Sequence, residues 1–280
     1  MAHLLKPILR LLPKQVKRRI RTYPPVYRMR NVVCGWKYGN ASHDQIYDKS
    51  YFQGVEQSIQ ESVDAIADSI VSSFAPKTVI DVGCGTGALL DSLRTGGVTP
   101  YGIEYADQAL AFCRRRQLPV RQLDLTNKSQ TDEITGHFDV AISMEVGQQL
   151  PTDVADQYVD LLCRLSDVVV FSSDVPGGFD RRPINEQRRE YWIDKFVERH
   201  FEFDAATTKK WQSVWKEKGT TPFFHENLSV FRFQSETAAR TDHHDPSHRA
   251  NAPRSRDRAF TDGNSVPARD PSESDHAAAD

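Results

Sequence analysis

No acidic residue occurs before Asp44. The preceding stretch carries Lys6, Arg10, Lys14, Lys17, Arg18, Arg19, Arg21, Arg28, Arg30 and Lys37, so a formal net charge of −2 hides a strongly basic arm. Cysteine is scarce: Cys34, Cys84, Cys113 and Cys163 show no C-x-x-C spacing, which excludes a disulfide framework and suits a reducing compartment. No apolar run is long enough to span a bilayer, and charges interrupt every apolar stretch near the start, so neither a membrane span nor a secretory signal is expected. The expected location is therefore cytoplasmic, peripheral to a membrane surface at most. Large apolar residues are almost missing beyond Ser235. Such a segment cannot bury enough surface to offset the entropy of ordering its backbone. It is expected to be a disordered, solvated tail in which His243, His244, His248 and His276 would bind metal at most loosely.

Between arm and tail, a chain that is 39% hydrophobic suffices for one domain with a real core. Ile59, Val63, Ile66, Ile70 and Val71 share one face of a helix expected over 55–74, with Pro76 ending it. β-Branched and apolar runs predict strands at 78–82, 101–104, 120–125, 138–145 and 167–174. Helices are predicted at 88–94, 107–116 and 152–165. A Gly/Pro-rich loop over 175–183, a helix over 185–200 and a final strand over 226–233 complete the core. Strands alternating with helices imply βαβ units and a largely parallel sheet covered on both faces. The boundaries expected are an arm over 1–49, a catalytic domain over 50–234 and a tail over 235–280.

The segment "VIDVGCGTGALL" places Gly83, Gly85 and Gly87 between the first strand and its helix. Glycines at a strand's carboxyl end let backbone approach a ligand. A Walker loop would need a Gly-Lys-Ser/Thr ending, and a dinucleotide fingerprint would need its third glycine one residue later; both are missing. Acids follow at the ends of the next strands, Glu104 and Asp124. Two carboxylate oxygens suit two ribose hydroxyls, and Asp124 suits an adenine amino group.

At "DVGCGTG", "GIEYA", "LDL" and "FDVAISMEVGQQLP", in that order and spacing, the chain resembles the class I S-adenosylmethionine-dependent methyltransferases. The resemblance runs from about residue 50 to 233. It implies a Rossmann-like, doubly wound, mostly parallel seven-stranded sheet and S-adenosylmethionine as cofactor. It implies that Asp81, Gly83, Cys84, Gly85 and Gly87 face the methionine portion, Glu104 the ribose and Asp124 the adenine. Leu125 and Met144 complete that set, and Tyr105 either covers the adenine or simply packs. Tyr47 and Tyr51 resemble tyrosines that close the cofactor pocket, with local packing as the other reading. A spermidine-synthase-like enzyme and a non-catalytic binder or scaffold on the same fold are the other readings.

Methyl transfer to a hydroxyl needs a base near the ends of strands four and five. Many relatives, quinone O-methyltransferases included, have Glu-His where this chain has Gln148-Gln149, and neither amide is a base. That leaves Glu145, as base or as a structural hydrogen-bond partner, then Asp174 and His225. No metal site is expected. Asn185, Gln187, Tyr191 and Trp192 suit a polyhydroxylated ring, or else Asn185 caps a helix whose Tyr191 and Trp192 lie in the core. The resulting expectation is O-methylation of a small polar or glycan-like acceptor. An isoprenoid- or quinone-type lipid is the alternative. In the arm, Leu4, Ile8, Leu12, Val16 and Ile20 recur every fourth residue among basic ones, though Pro7 and Pro13 bend any helix. An anionic membrane surface is the first reading. A nucleic-acid patch is the second reading, disfavoured because aromatics first appear at Tyr23 and Tyr27 and no module for it is present; a transit peptide is the third, and a partner-binding or self-docked helix remains open.

Overall fold

The computed structural model describes residues 46–176 and 184–235. The basic arm up to residue 45, the loop over 177–183 and the tail beyond 235 lie outside the described residues, and so do the expectations attached to them. Among the described residues, no helix is long and apolar enough to cross a membrane.

The helix α1 (Lys49–Phe74) begins where the Asp48 carboxylate accepts the Tyr51 N–H at 2.8 Å. It ends where Ala75 turns left-handed ahead of Pro76. There follow β1 (Thr78–Val82), α2 (Ala88–Thr95), β2 (Thr99–Glu104), α3 (Asp107–Arg115) and β3 (Val120–Gln122). Next come α4 (Lys128–Asp132), β4 (Val140–Met144), α5 (Ala155–Leu165) and β5 (Val168–Ser172). The described residues end with α6 (Arg189–Val197), β6 (Phe201–Phe203), α7 (Ala205–Glu217), α8 (Pro222–Asn227) and β7 (Ser229–Phe233).

The seven strands lie in the order β3-β2-β1-β4-β5-β7-β6. All pairs up to β5 are parallel, and β7 runs antiparallel to both β5 and β6. β1, β4 and β5 are buried along almost their whole length, as strands covered on both faces must be. One face packs α5 and α6 around Phe171, with Phe196 stacked on Phe231 at 3.9 Å. The other packs α1, α2 and α7 around Ile66, Ile70, Trp211 and Trp215. Because β1 has β2 on one side and β4 on the other, the strand order reverses there, and the crevice for a ligand opens at their carboxyl ends.

The doubly wound seven-stranded sheet is the one expected, but several boundaries differ. The third strand stops at Gln122, so Asp124 belongs to the following turn. The helix after the Gly/Pro-rich loop starts at Arg189, and Asn185 does not cap it. Glu226 and Asn227 end a short helix that Pro222 opens at its first turn; they do not begin β7. The strand β6 and the helices α4 and α7 were not foreseen. β6 has only three residues, and α7 shows only the thin stripe Trp211–Val214–Trp215.

Candidate functional site

The loop after β1 turns left-handed three times, with φ of +82° at Gly83, +56° at Gly85 and +74° at Gly87. The Gly83 and Cys84 N–H groups donate to the Ile103 carbonyl at 2.8 and 3.0 Å, which pulls the loop across the end of β2. A Cβ on Gly83 would come within 2.4 Å of a Val146 methyl, so backbone approaches β4's end closely here. Gly85 differs: a Cβ there would meet nothing within 4 Å, because its open side faces the cavity.

Glu104 ends β2 and is nearly buried. Its Oε2 accepts the Gly85 N–H at 2.8 Å, and its Oε1 accepts the Tyr105 and Ala106 N–H groups at 2.8 Å each. The carboxylate is thus locked in place by three backbone donors. Asp81, buried below the loop, has its carboxyl pushed up to about 8, first by burial and then by the charge of Glu104. Cys84 is a thiol whose pKa is pushed well up by its hydrogen bond to Cys113 and by burial, so it is no nucleophile.

Glu145, half-buried just past β4, holds a left-handed φ of +61° that is uncommon for a non-glycine residue. Its Oε1 accepts the Ser172 hydroxyl at 2.8 Å and the Asn227 amide at 3.3 Å, and its Oε2 faces the Gln148 amide at 3.4 Å. Gln148 is buried and ties the two strand ends together. Its Nε2 donates to the Glu145 carbonyl at 2.9 Å, and its Oε1 accepts the Ser173 hydroxyl and the Asp174 N–H at 3.1 Å each. Asp174 is buried at the end of β5.

These groups converge on one cavity of about 360 Å³. Asp81, Gly83, Cys84, Gly85, Glu104 and Met144 line its loop side, and Glu145, Gln148, Gln149 and Asp174 its strand-four side. The face of α1 and the Phe223 and Phe224 rings roof it, with Tyr47 and Tyr51 at one edge. Gly87, Tyr105, Asp124, Leu125 and His225 are not in its wall. Tyr105 is 44% exposed. Asp124 turns its Oδ1 to the Thr126 N–H and hydroxyl at 2.8 and 2.7 Å. Leu125 packs in the α5-side core. His225 is buried, with Nδ1 at 3.1 Å from the Thr220 hydroxyl. Trp192 is 2% exposed, tilted against Phe171 at 5.3 Å, and Asn185 is bonded to Thr152 and Gln187, so their side chains pack in the interior. Phe223, Phe224, Asn227, Ser172 and the bridging role of Gln148 escaped the sequence reading. Only Pro222 before two phenylalanines hinted at a turn presenting aromatics.

The donor set fits S-adenosylmethionine. The Thr86 hydroxyl, in the loop and lining the cavity, is buried without a hydrogen-bond partner. A buried polar group in that state calls for a ligand partner. Gly85 leaves open space beside it, and the acidic wall of Asp81, Glu104, Glu145 and Asp174 suits a sulfonium cation.

Residues 51–213 match the family model described as a methyltransferase domain. The ubiquinone biosynthesis O-methyltransferase of Pseudomonas paraeruginosa is 33% identical over 84 residues, which are 29% of this chain and 36% of that protein. Its counterpart from Methylococcus capsulatus is 31% identical over 84 residues, 29% and 35% respectively. The chain thus spans about a third of the length of the curated relatives it matches. Among solved structures, the magnesium protoporphyrin IX methyltransferase of Synechocystis shares 17% identity at a TM-score of 0.49, covering 73% of this chain and 97% of that one. An amino pentose methyltransferase from Micromonospora echinaspora shares 17% at 0.49, covering 70% and 99%. The family match takes in more than half of the chain, from α1 through the glycine loop and all five parallel strands into α7. On that match, the chain belongs to the class I S-adenosylmethionine-dependent methyltransferases.

Proposed function

We propose that the protein transfers a methyl group from S-adenosylmethionine to a hydroxyl of a small-molecule acceptor. The observation that carries this reading is the sharing of one cavity by the Glu104-locked glycine loop and the pre-oriented Glu145 carboxylate. Bound there, the cofactor supplies a methyl group already activated on sulfonium. The Gly83–Gly87 backbone and Thr86 hold its methionine end, and Glu104 its ribose. Asp124, in the turn after β3, and Tyr105, just after β2, lie outside the wall and are the candidates for the adenine side. Alignment of the acceptor supplies much of the rate in such a displacement. Glu145 accepts the hydroxyl proton, held in its rotamer by Ser172 and Asn227. Asp174, on the same edge of the cavity, is a second acceptor, with its backbone N–H held by Gln148. His225 is buried in α8 against the Thr220 hydroxyl, outside the wall. The basic arm, on this reading, brings the domain to an anionic membrane surface.

The test is calorimetry with S-adenosylmethionine, followed by acceptor assays with labelled methyl donor. Glu104→Ala should weaken cofactor binding by about tenfold to a hundredfold, the worth of a charge-assisted hydrogen bond. Glu145→Gln should bind cofactor normally and lose roughly a hundredfold or more in kcat. A wild-type protein that binds no cofactor would end this reading.

A further inference from the structure

The acceptor side of the cavity has a chemistry of its own. Its roof is α8, whose Phe223 and Phe224 rings lie 4.4 Å apart. The Thr221 N–H donates to the Ser62 hydroxyl at 3.0 Å and the Thr221 hydroxyl to the Ser58 carbonyl at 3.0 Å, which anchors the start of α8 on α1. At its other end Asn227 reaches Glu145. The aromatic pair is therefore fixed between the apolar face of α1 (Phe52, Ile59 and Val63 in the wall) and the carboxylate that would take the acceptor's proton. Polar groups on this side are Glu145, Gln148, Gln149 and Asp174 along the strand-four edge, with Ser58 on α1 and the Tyr47 and Tyr51 hydroxyls as the others. Among the described residues of the wall there is no Lys, Arg or His.

We infer that the enclosed part of the acceptor is an uncharged aromatic ring bearing a hydroxyl, its face against Phe223 and its hydroxyl toward Glu145. This deepens the proposed function and rests on it. Aromatic rings pack well on an aromatic and aliphatic wall. A sugar ring would turn hydroxyls onto that wall and leave them unpaired. A carboxylate or phosphate on the ring would face the Glu145 and Asp174 carboxylates, and like charges repel. The cavity's 360 Å³ lies near the low end of the roughly 300–1,000 Å³ of ligand pockets.

Three probes separate these terms: p-cresol, p-hydroxybenzoate, which adds a carboxylate to the same phenol, and methyl glucoside, a neutral polyol. Their affinities are measured by ligand-observed NMR on the full chain saturated with S-adenosylhomocysteine, with saturation itself checked by calorimetry. p-Cresol should bind at least tenfold more tightly than either of the others. Phe223→Ala should weaken p-cresol by about tenfold, the loss of an aromatic contact with its buried area, and Phe223→Leu by less. Both variants should keep wild-type affinity for S-adenosylhomocysteine, which also reports that they are folded. The inference is overturned by absent p-cresol binding, by methyl glucoside or p-hydroxybenzoate binding as well as p-cresol, or by Phe223→Ala leaving p-cresol unchanged. Failure of S-adenosylhomocysteine to bind would instead strike the proposed function.

Discussion

Asp81 shows how one buried residue makes the site sensitive to pH. Its carboxyl titrates near 8 in the folded chain against about 3.8 unfolded, because burial and Glu104 both disfavour its charge. Between those values the folded state holds one proton more than the unfolded state. The stability this proton confers is therefore complete below about pH 4 and is lost as pH rises through about 8. A cationic ligand group beside Asp81 reverses the preference, since it favours the carboxylate. Cofactor binding at pH 7 should release up to one proton, and affinity should rise from pH 6 to 8 and then level. Calorimetry in phosphate and in Tris, whose ionisation enthalpies differ, reads that release directly. Asp81→Asn should remove both the release and the slope; proton uptake by the wild type would show that the methionine end lies elsewhere. Of these groups, Asp81 was legible in sequence as the one acid inside the apolar run of β1, and Glu104 because it ends β2. That Glu104 is held by the Gly85 N–H was not, because the contact joins residues 19 positions apart through tertiary folding.

At the scale of elements, α7 locks the roof-bearing side of the sheet. The Trp215 indole N–H donates to the Ser69 hydroxyl at 2.8 Å and that of Trp211 to the Ser73 hydroxyl at 3.2 Å, and the two rings stack at 5.6 Å. Both are almost fully buried between α1 and the sheet. Trp215→Ala should cost about 3–5 kcal/mol, the range for removing a buried aromatic. Urea unfolding should show the loss as a lower midpoint at unchanged slope. Trp215→Phe should cost less, because it retains the ring and because Ser69 keeps its bond to the Ala65 carbonyl. A negligible effect of Trp215→Ala would mean that α7 is not part of the cooperative core. Helix α7 was poorly legible because its apolar stripe is short, while the long stripe of α1 declared itself through Ile59, Val63, Ile66 and Ile70.

For the whole molecule, the open proposal is where it works. Full-length protein should co-sediment with vesicles rich in anionic lipid and be released by salt, since exposed charges are screened beyond roughly 10 Å at 0.1 M. Reversing Lys14, Lys17, Arg18 and Arg21 to Glu should abolish co-sedimentation and leave cofactor affinity unchanged. Vesicle-independent behaviour with altered cofactor affinity would assign the arm to the active site instead.

Local pattern by itself determined the alternation of strands and helices, the glycine loop after β1 and Glu104 at the end of β2. Each of these is a matter of neighbours in sequence: β-branched runs pair as strands, a periodic apolar face makes a helix, and left-handed turns select glycine. Only tertiary structure decided the acceptor side. Phe223 and Phe224 come from the far end of the domain to cover residues near Glu145, and Asn227 reaches across 82 positions to hold that carboxylate. Trp192, which as a sequence suited a sugar-binding surface, was drawn inside against Phe171 and Tyr158. Such contacts depend on how a doubly wound sheet gathers its strand ends at one edge, and no local spacing encodes which side chains meet there.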